Sequence, residues 1–287
     1  MASSVPSTLT DRSGDLKHRA TRIRRLCVEM VARAGASHIG SALSIADIVA
    51  VLYGRVMRID PADPAWRERD RFLLSKGHAC VAVYAALADA GFLPIEQLEA
   101  YGRDGSVLMS HISHKVPGVE FSTGSLGHGL PFATGKALAA ARSGQAWRSF
   151  VLLGDGEMAE GSNWEAMMFA AHHGLDNLVG IIDYNKLQSL TSVAETLGLE
   201  PLPAKIAAFG WSVREVDGHD HAALADALNA APWEAGKPSM LVAHTIKGKG
   251  VSYMENQVAW HYRTPSGDHL AQARAELGTA EPGADDA

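Results

Sequence analysis

The chain has 287 residues, of which 47% are apolar and 20% are charged, and its formal net charge is −6 at pH 7. This length suffices for one large α/β domain that buries about three quarters of the surface exposed by its unfolded chain. The composition excludes a fibrous, repeat or disordered protein. Acids and bases are interspersed and acids predominate, which argues against a nucleic-acid partner.

The two cysteines, Cys27 and Cys80, lie in apolar, helix-like stretches without CxxC spacing. They therefore predict core thiols and indicate neither a disulfide framework nor a zinc site. The first dozen residues are polar and lack the apolar region of a signal peptide, and no apolar run approaches the roughly 18 residues of a membrane span. We therefore expect a cytoplasmic protein without a membrane partner.

Hydrophobic periodicity predicts a series of elements in the first part of the chain. They are a helix over 15–33, a second helix starting at Ile45, a strand over 71–75 and a helix over 78–90. Ser44 is the candidate N-cap of the second helix. The segment 102–129 is rich in Gly, Ser, His and Pro without periodicity, which indicates a functional loop.

Helices and strands alternate in the remainder of the chain. The predicted elements are helix 128–142, strand 149–153, helix 162–173, strand 178–183, helix 204–209, strand 211–216, helix 221–230 and strand 240–244. Strands separated by helices predict an α/β fold with a doubly wound parallel sheet and helices on both faces. We expect one domain over 15–265, between a flexible N-terminus (1–14) and an acidic, disordered tail (266–287).

An acidic residue lies between two glycines where the strand 149–153 ends, in the sequence Gly154-Asp155-Gly156-Glu157. Glycines at such a position let a phosphate group approach the backbone. Asp155 would repel a diphosphate unless a cation lies between the two charges, so it indicates a metal site.

Asn185 follows the next strand of the chain. A helix of about 12 residues rises roughly 18 Å, and the strand after it returns about 20 Å, so both strands end at the same edge of the sheet. Asp155, Asn185 and the backbone carbonyl of Leu187, completed by two diphosphate oxygens and water, form the oxygen octahedron that Mg²⁺ prefers, with Ca²⁺ or Mn²⁺ as alternatives. Ordinary turn residues would explain the two side chains equally well.

Several segments resemble the transketolase family of thiamine-diphosphate enzymes. They are Gly154-Asp155-Gly156 with Tyr184-Asn185, Ala34-Gly35-Ala36-Ser37-His38-Ile39-Gly40, Ser75-Lys76-Gly77-His78-Ala79, Thr123-Gly124-Ser125-Leu126-Gly127-His128-Gly129, and Glu160-Gly161 with Glu165. The resemblance covers about residues 15–265 and corresponds to the diphosphate-binding domain. Since family members are usually more than twice as long, the chain resembles the N-terminal subunit of a split transketolase.

The resemblance implies a role for each matching residue. Asp155, Asn185 and the Leu187 carbonyl match the metal ligands, His78 and Gly156 match diphosphate-binding positions, and Gly124 and Leu126 match positions against the cofactor rings. His38, His111 and His261 match substrate-channel histidines that assist proton transfer, and His261 also lies against the cofactor. His114 competes with His111, because the usual His-Pro-Glu is His111-Ile112-Ser113 here.

Glu160 and Glu165 match a carboxylate network that crosses the subunit interface, although acids near a helix N-terminus are also stabilised by the helix dipole alone. Each histidine could likewise be a satisfied structural residue. No role follows from the sequence for Lys247, His219 or His221.

The implied reaction is the transfer of a two-carbon ketol unit from a ketose phosphate to an aldose, with thiamine diphosphate stabilising the carbanion. The family places the activating glutamate in the following domain. The resemblance therefore implies a partner subunit with the pyrimidine-binding and C-terminal domains, an α2β2 assembly, and no activity of this chain alone.

Other functions also fit parts of the sequence. Within the thiamine enzymes these are one subunit of a 2-oxoacid dehydrogenase and a synthase of the deoxyxylulose phosphate type. The segment Gly154 to Ala159 fits a loose GxGxxG/A dinucleotide pattern, but the strand-end acid expected about 20 residues further on is represented only by Asp183. A cofactor-binding scaffold without catalysis is the fourth alternative.

Overall fold

A computed structural model describes residues 16–278. The helices are α1 (Leu16–Ala34), α2 (Ile39–Ser44), α3 (Ala46–Val51), α4 (Cys80–Asp89), α5 (Gly129–Arg142), α6 (Gly161–His172), α7 (Val193–Thr196), α8 (Leu202–Ala208), α9 (His221–Asn229) and α10 (Gly267–Glu276). The strands are β1 (Arg71–Leu74), β2 (Ser149–Gly154), β3 (Leu178–Tyr184), β4 (Ser212–Asp217) and β5 (Ser239–His244). Shorter 3₁₀ turns cover Gly77–Ala79, Ile95–Ala100, Gly156–Ala159 and Val258–His261, and a π-helical turn covers Leu52–Val56.

The described strands form one parallel sheet in the order β1-β2-β3-β5-β4. Neighbouring strands end at nearly the same level, since Gly154 of β2 is paired with Asp183 of β3 and Tyr184 of β3 with His244 of β5. The loops after β2, β3 and β5 therefore meet at the carboxyl edge of the sheet, where open α/β sheets bind ligands.

The core has one layer on each face of the sheet. Along β2, Phe150 and Leu152 pack into the layer that includes α1, α3, α4 and α9. Val151 and Leu153 alternate with them and pack into the layer formed with α5, α6 and α8. This alternation confirms the predicted doubly wound architecture, because successive strand side chains point to opposite faces. No helix of the described chain is long and apolar enough to cross a membrane.

The prediction that Ser44 caps a helix was wrong. Ser44 is the last residue of α2, and Ile45 lies between α2 and α3 without a side-chain cap. The Ser44 hydroxyl donates to the Asp183 carboxylate at 2.6 Å, and its oxygen lies 3.1 Å from the Ser41 carbonyl oxygen. The Ser44 hydroxyl therefore binds a carboxylate that is distant in the sequence, and it does not cap the backbone of the following helix as the local sequence predicted.

The prediction of a disordered tail over 266–287 was wrong for its first part, because 267–276 forms α10. Leu270 and Ala273 pack on the core together with Leu277. Arg274 forms an ion pair with Glu29 of α1, with Nε 2.7 Å from the carboxylate. The spacing of these apolar residues puts them on one helix face, so burial against the domain orders a segment that looked merely acidic. The rest of that tail and the predicted N-terminal segment 1–14 lie outside the described residues.

A buried carboxylate, Asp47 at the start of α3, connects three elements of the first core layer. It binds the guanidinium of Arg24 from α1, His219 Nδ1 at 2.6 Å and His221 Nε2 at 2.7 Å. The His219 Nε2 atom accepts from the backbone N–H of Ile246 at 2.9 Å, so His219 is neutral and donates to Asp47 from Nδ1. The cluster therefore fixes the loop after β4 against α1 and α3.

Replacing Asp47 by Asn should lower the free energy of unfolding by about 3 kcal/mol, because it leaves the buried Arg24 guanidinium without its counter-charge. Urea unfolding followed by circular dichroism measures the change. Asp226→Asn, on an exposed position of α9, is the matched control and should change stability by less than about 0.5 kcal/mol. Equal unfolding midpoints for the two variants would contradict the role given to Asp47.

Candidate active site

The carboxylate of Asp155 lies directly after β2 and is held by backbone amides. Its Oδ1 atom accepts from the N–H of Gly156 at 2.7 Å, and its Oδ2 atom accepts from the N–H of Lys186, which follows β3. The residue is 3% exposed. Burial and the nearby charge of Asp183 raise the pKa of Asp155 to about 7. A positive charge beside this carboxyl would lower the cost of ionising it.

The loop after β3 brings Asn185 and Leu187 to the same place. Lys186 has a positive φ of 66°, which turns its N–H towards Asp155. The Asn185 amide donates from Nδ2 to Asp183 at 2.9 Å, so its Oδ1 atom is left as the acceptor, and it accepts from the N–H of Leu187 at 3.1 Å. Asp155 and Asn185 thus belong to adjacent turns, as the element lengths predicted.

Asp183, the penultimate residue of β3, is fully buried and collects four donors. They are the Lys76 ammonium, the Ser44 hydroxyl, the Asn185 amide and the Thr245 hydroxyl. Burial alone would raise the pKa of Asp183, but the charge of Lys76 and these hydrogen bonds outweigh it and lower the pKa. Because four donors of the chain already occupy its carboxylate oxygens, Asp183 is a poor candidate for the acid that binds the ribose of a dinucleotide.

Glu157 ties the glycine-rich loop to the end of β2. Its carboxylate accepts from the Ser75 hydroxyl, from the N–H of Gly127 at 2.8 Å and from the N–H of Gly154 at 3.2 Å. A Cβ on Gly127 would lie 2.5 Å from the Ser162 hydroxyl oxygen, and its φ is +82°. Only glycine fits there, so the loop reaches this carboxylate by its bare backbone.

A cavity of about 260 Å³ opens at this edge of the sheet. Its lining includes predicted metal, diphosphate and ring-contact residues: Leu126, His78, Asp155, Gly156, Asn185, Leu187 and His261. It also contains two buried lysines, Lys76 and Lys247. Lys247 Nζ donates to the carbonyls of Leu187 at 3.1 Å and Gln188 at 2.7 Å. A carbonyl has two lone pairs, so this contact leaves Leu187 able to accept a further partner.

Four histidine rings gather beside the cavity. The His38 ring centroid lies 5.0 Å from that of His78, 5.9 Å from that of His111 and 5.0 Å from that of His261. His38 has a left-handed backbone with φ 71°, and its N–H donates to the His261 carbonyl at 2.7 Å. The predicted channel histidines therefore do come together.

Burial and neighbouring charges keep three of these imidazoles, those of His38, His78 and His261, neutral. Burial, with His111 and Lys247, lowers the pKa of His38 to about 4. Burial, with Lys247 and His38, lowers the pKa of His261 to about 3. Burial, with the charge of Lys76, holds the pKa of His78 well below its ordinary value. At neutral pH each of these three rings has one donor and one acceptor nitrogen, which suits hydrogen bonding to uncharged oxygens.

His111, and not His114, joins this cluster. The His114 ring is exposed and its Nδ1 atom lies 2.7 Å from the Ser122 hydroxyl, whereas the His111 carbonyl accepts from Tyr84 at 3.1 Å. Gly124 adjoins His111, since a Cβ on this glycine would lie 3.6 Å from the His111 ring. Gly124 is exposed at the rim of the site rather than in the cavity lining.

Glu160 and Glu165 lie apart from the cavity lining. Glu160 precedes α6 and Glu165 is on it, and both are exposed. Within the described part of the chain neither carboxylate has a hydrogen-bond or ion-pair partner. The side chain of Glu160 packs beside Gly127, because a Cβ there would lie 2.6 Å from the Glu160 Cβ. The carboxylates of Glu160 and Glu165 are thus exposed on the surface near the glycine-rich loop.

Sequence reasoning missed the groups that organise these loops, namely Lys76, Asp183, Glu157 and Lys247. Lys76 lies in the segment Ser75-Lys76-Gly77-His78-Ala79 that resembles the family, and Glu157 follows Asp155 by two residues. Both positions therefore carried a signal in the sequence that was not used. Lys247 carried no local signal, since a lone lysine is usually exposed.

The donor set fits a hard divalent cation. Asp155 supplies a carboxylate, Asn185 an amide oxygen and Leu187 a carbonyl, all oxygen ligands. No group of three or more His, Cys, Asp or Glu side chains that could hold a metal occurs in residues 16–278. The set formed by Asp155, Asn185 and Leu187 has only one such side chain. Oxygens of a bound diphosphate would be needed to complete the coordination of a metal ion there.

Replacing Lys76 by Met should destabilise the chain by about 3 to 5 kcal/mol, because it leaves the buried Asp183 carboxylate without a counter-charge. The measurement is urea unfolding, with Lys115→Met on the exposed loop as control. Adding Asp183→Asn to Lys76→Met should recover part of the loss, since the second change removes the unpaired charge. If the loss of stability in the double variant equals the sum of the losses in Lys76→Met and Asp183→Asn, the two residues are not coupled.

Comparison with known proteins agrees with this geometry. Residues 16–284 match the model of the family described as "Transketolase, thiamine diphosphate binding domain". The 6-deoxy-6-sulfo-D-fructose transketolase subunit SqwG of Clostridium sp. is 43% identical over 94% of this chain and 98% of its own. An apulose-4-phosphate transketolase subunit of Actinobacillus succinogenes is 43% identical over 92% of this chain and 96% of its own.

The structure of a transketolase from Leishmania mexicana superposes with a TM-score of 0.86 at 33% identity. The match covers 92% of this chain and 41% of the Leishmania chain. The chain thus spans about two fifths of that enzyme but nearly the whole of the two relatives named as subunits. The family model, the relatives and the fold agree, and the chain belongs to the transketolase family as an N-terminal, thiamine diphosphate binding subunit.

Proposed function

We propose that this chain is the half of a two-polypeptide transketolase that holds the diphosphate of thiamine diphosphate through Mg²⁺. The observation that carries the proposal is the meeting of Asp155, Asn185 and Leu187 at one wall of a cavity that also contains two buried lysines. A cation between Asp155 and a diphosphate compensates both charges.

In this proposal Asp155, Asn185 and the Leu187 carbonyl hold the metal ion, and His78 with the backbone at Gly156 adjoins the diphosphate. The ammonium groups of Lys76 and Lys247 add positive charge to the same cavity. Leu126, in the cavity lining, and Gly124, at the rim, adjoin the cofactor rings. Bound thiamine diphosphate supplies the stabilised carbanion on which ketol transfer depends.

His38, His111 and His261 act on the substrate side. The neutral imidazoles of His38 and His261 can donate to a sugar carbonyl, accept from hydroxyl groups and exchange a proton with a bound sugar. Lys247 Nζ lies 3.1 Å from His261 Nδ1, so an ammonium directs this nitrogen to be the acceptor and leaves Nε2–H as a donor. The site thus offers a fixed tautomer at one position.

The chain works with a separate partner subunit, since its relatives are named as subunits. We propose that the partner supplies the pyrimidine-binding and C-terminal domains and the activating glutamate, in an α2β2 assembly. The exposed carboxylates of Glu160 and Glu165 then belong to the network that links the two active sites. The cytoplasmic compartment stays a prediction from the sequence.

The substrate class we propose is an anionic ketose. The relative from Clostridium is named for a sulfo sugar and the relative from Actinobacillus for a sugar phosphate, at the same 43% identity to this chain. Overall identity therefore cannot select between them, although both names describe a sugar with a negatively charged group.

We expect Mg²⁺ with thiamine diphosphate to raise the melting temperature of the chain by about 5 °C at a ligand concentration near 100 times the dissociation constant. Asp155→Ala and Asn185→Ala should abolish this shift, since each removes a metal ligand, and EDTA should reverse it. Differential scanning fluorimetry measures the effect.

The controls for that experiment are Asp226→Ala and Asn229→Ala, both exposed at α9 and away from the cavity. They should keep the full shift. If NAD stabilises the chain and thiamine diphosphate does not, the proposed function is wrong and the dinucleotide alternative returns.

The chain alone should show no ketol transfer, and activity should appear when it is mixed with its partner subunit. Gel filtration of the co-expressed pair and an assay with a panel of sugar phosphates and sulfonates test both points. Full activity of the isolated chain would contradict the split active site. A complex that binds the cofactor yet converts no anionic ketose would contradict the proposed reaction.

A further inference from the structure

The side-chain amide of Gln188 has a donor without an acceptor. Its Nε2 atom is buried and has no hydrogen-bond partner among the described residues. The residue lines the cavity and directly follows Leu187. Its backbone is fixed, because its N–H donates to the Thr191 carbonyl at 2.9 Å and its carbonyl accepts from Lys247 at 2.7 Å. A buried N–H group in this state lowers stability unless a ligand satisfies it.

The backbone donors around the metal-binding turns are already used. The N–H groups of Gly156 and Lys186 both donate to Asp155, that of Leu187 donates to Asn185, and that of Gln188 donates to Thr191. Because each backbone N–H donates once, none of these four is free for a diphosphate. The Gln188 side chain therefore adds a donor beside four backbone N–H groups that are already engaged.

The position of the amide follows from its packing on Gly156. A Cβ at residue 156 would lie 3.0 Å from Cγ and from Cδ of Gln188, and 3.3 Å from its Nε2. Gly156 does not have a positive φ. The absence of a side chain at Gly156 consequently leaves room for the Gln188 amide. This amide packs against Gly156, a residue that the sequence predicted to contact the diphosphate.

The surrounding charges identify the acceptor. The same cavity is lined by Lys76, Lys247 and the neutral His78, and by the carboxylates of Asp155, Glu157 and Asp183, of which Glu157 and Asp183 accept hydrogen bonds from several donors of this chain. The two ammonium groups, with a cation held by Asp155, suit an anion with several acceptor oxygens. A neutral donor adds a directed hydrogen bond to one of these oxygens without adding further charge.

We propose that Gln188 is a cofactor-binding residue, whose Nε2–H group donates to an oxygen of the diphosphate bound beside Asp155. The inference rests on the proposed function, since it requires a diphosphate in this cavity. It makes the amide a ligand contact, and it makes Gly156 the residue that gives the amide its room.

Isothermal titration calorimetry with Mg²⁺ and inorganic pyrophosphate, and then with Mg²⁺ and thiamine diphosphate, tests the proposal on the full chain. Gln188→Met has a similar length and no donor. We expect it to weaken the binding of both ligands about tenfold, because a hydrogen bond to a charged oxygen is lost. Its melting temperature without ligand should be equal to or above that of the wild type, since an unsatisfied buried donor is removed.

A second variant tests whether the loss of affinity in Gln188→Met comes from altered packing and not from the lost donor. Gln188→Glu keeps the shape of the side chain but carries a carboxylate in place of the donor, so its affinity for pyrophosphate should fall at least as far. Gln145→Met, at an exposed position in the segment between α5 and β2, is the matched control and should bind like the wild type.

The outcomes separate the inference from the proposed function. If the wild type binds both ligands and Gln188→Met and Gln188→Glu bind them equally well, the inference is overturned and the proposed function stands. If the wild type binds neither ligand, both are overturned. Unchanged affinity with a lower melting temperature would show that the amide only packs, and would also overturn the inference.

Discussion

The arrangement of the segments at the carboxyl edge of the sheet depends on one buried charge, the carboxylate of Asp183. Four donors from different parts of the chain converge on it, and each fixes a segment with a different task. Ser44 attaches α2, which follows His38. Lys76 attaches the turn that carries His78. Thr245 attaches the segment before Lys247, and Asn185 takes its side-chain orientation from the same carboxylate.

An ionised group in such a place is stable only while its partners are in position, because an unpaired buried charge is costly. The requirement is reciprocal. Segments more than one hundred residues apart reach a common geometry because each of them supplies part of the compensation, with Lys76 and Asp183 separated by 107 positions. The site is therefore assembled with the fold and not added to its surface.

Much of the architecture was predictable because it depends on local pattern. Buried parallel strands give short apolar runs, the intervening helices show their own period, and their lengths bring Asp155 and Asn185 to one edge. The contacts of Lys247 with Leu187 were not predictable, because they join residues 60 positions apart with no signal in the sequence around either. The helix α10 was predictable in principle, since Leu270, Ala273 and Leu277 have helical spacing, but its acidic composition suggested disorder.

Two different kinds of polar group therefore meet at this edge. The groups next to Asp155 are charged and mutually compensated, whereas the histidines beside them are kept neutral by burial and by the neighbouring lysines. The division is physically consistent with an anionic cofactor tail on one side and an uncharged reacting carbonyl on the other. The same two lysines, Lys76 and Lys247, contribute to both environments: they add positive charge beside Asp155, and they disfavour protonation of the rings.

The left-handed backbone of His38 has an evolutionary consequence. A residue with a Cβ is strained in this region by about 1 kcal/mol or more, and glycine would adopt it freely. Selection for thermal robustness alone would consequently favour glycine at position 38 and would remove the imidazole nearest to the other three rings. The simplest relief of strain at this position would therefore remove one member of the histidine cluster, so stabilisation of this subunit against heat is better sought at other positions.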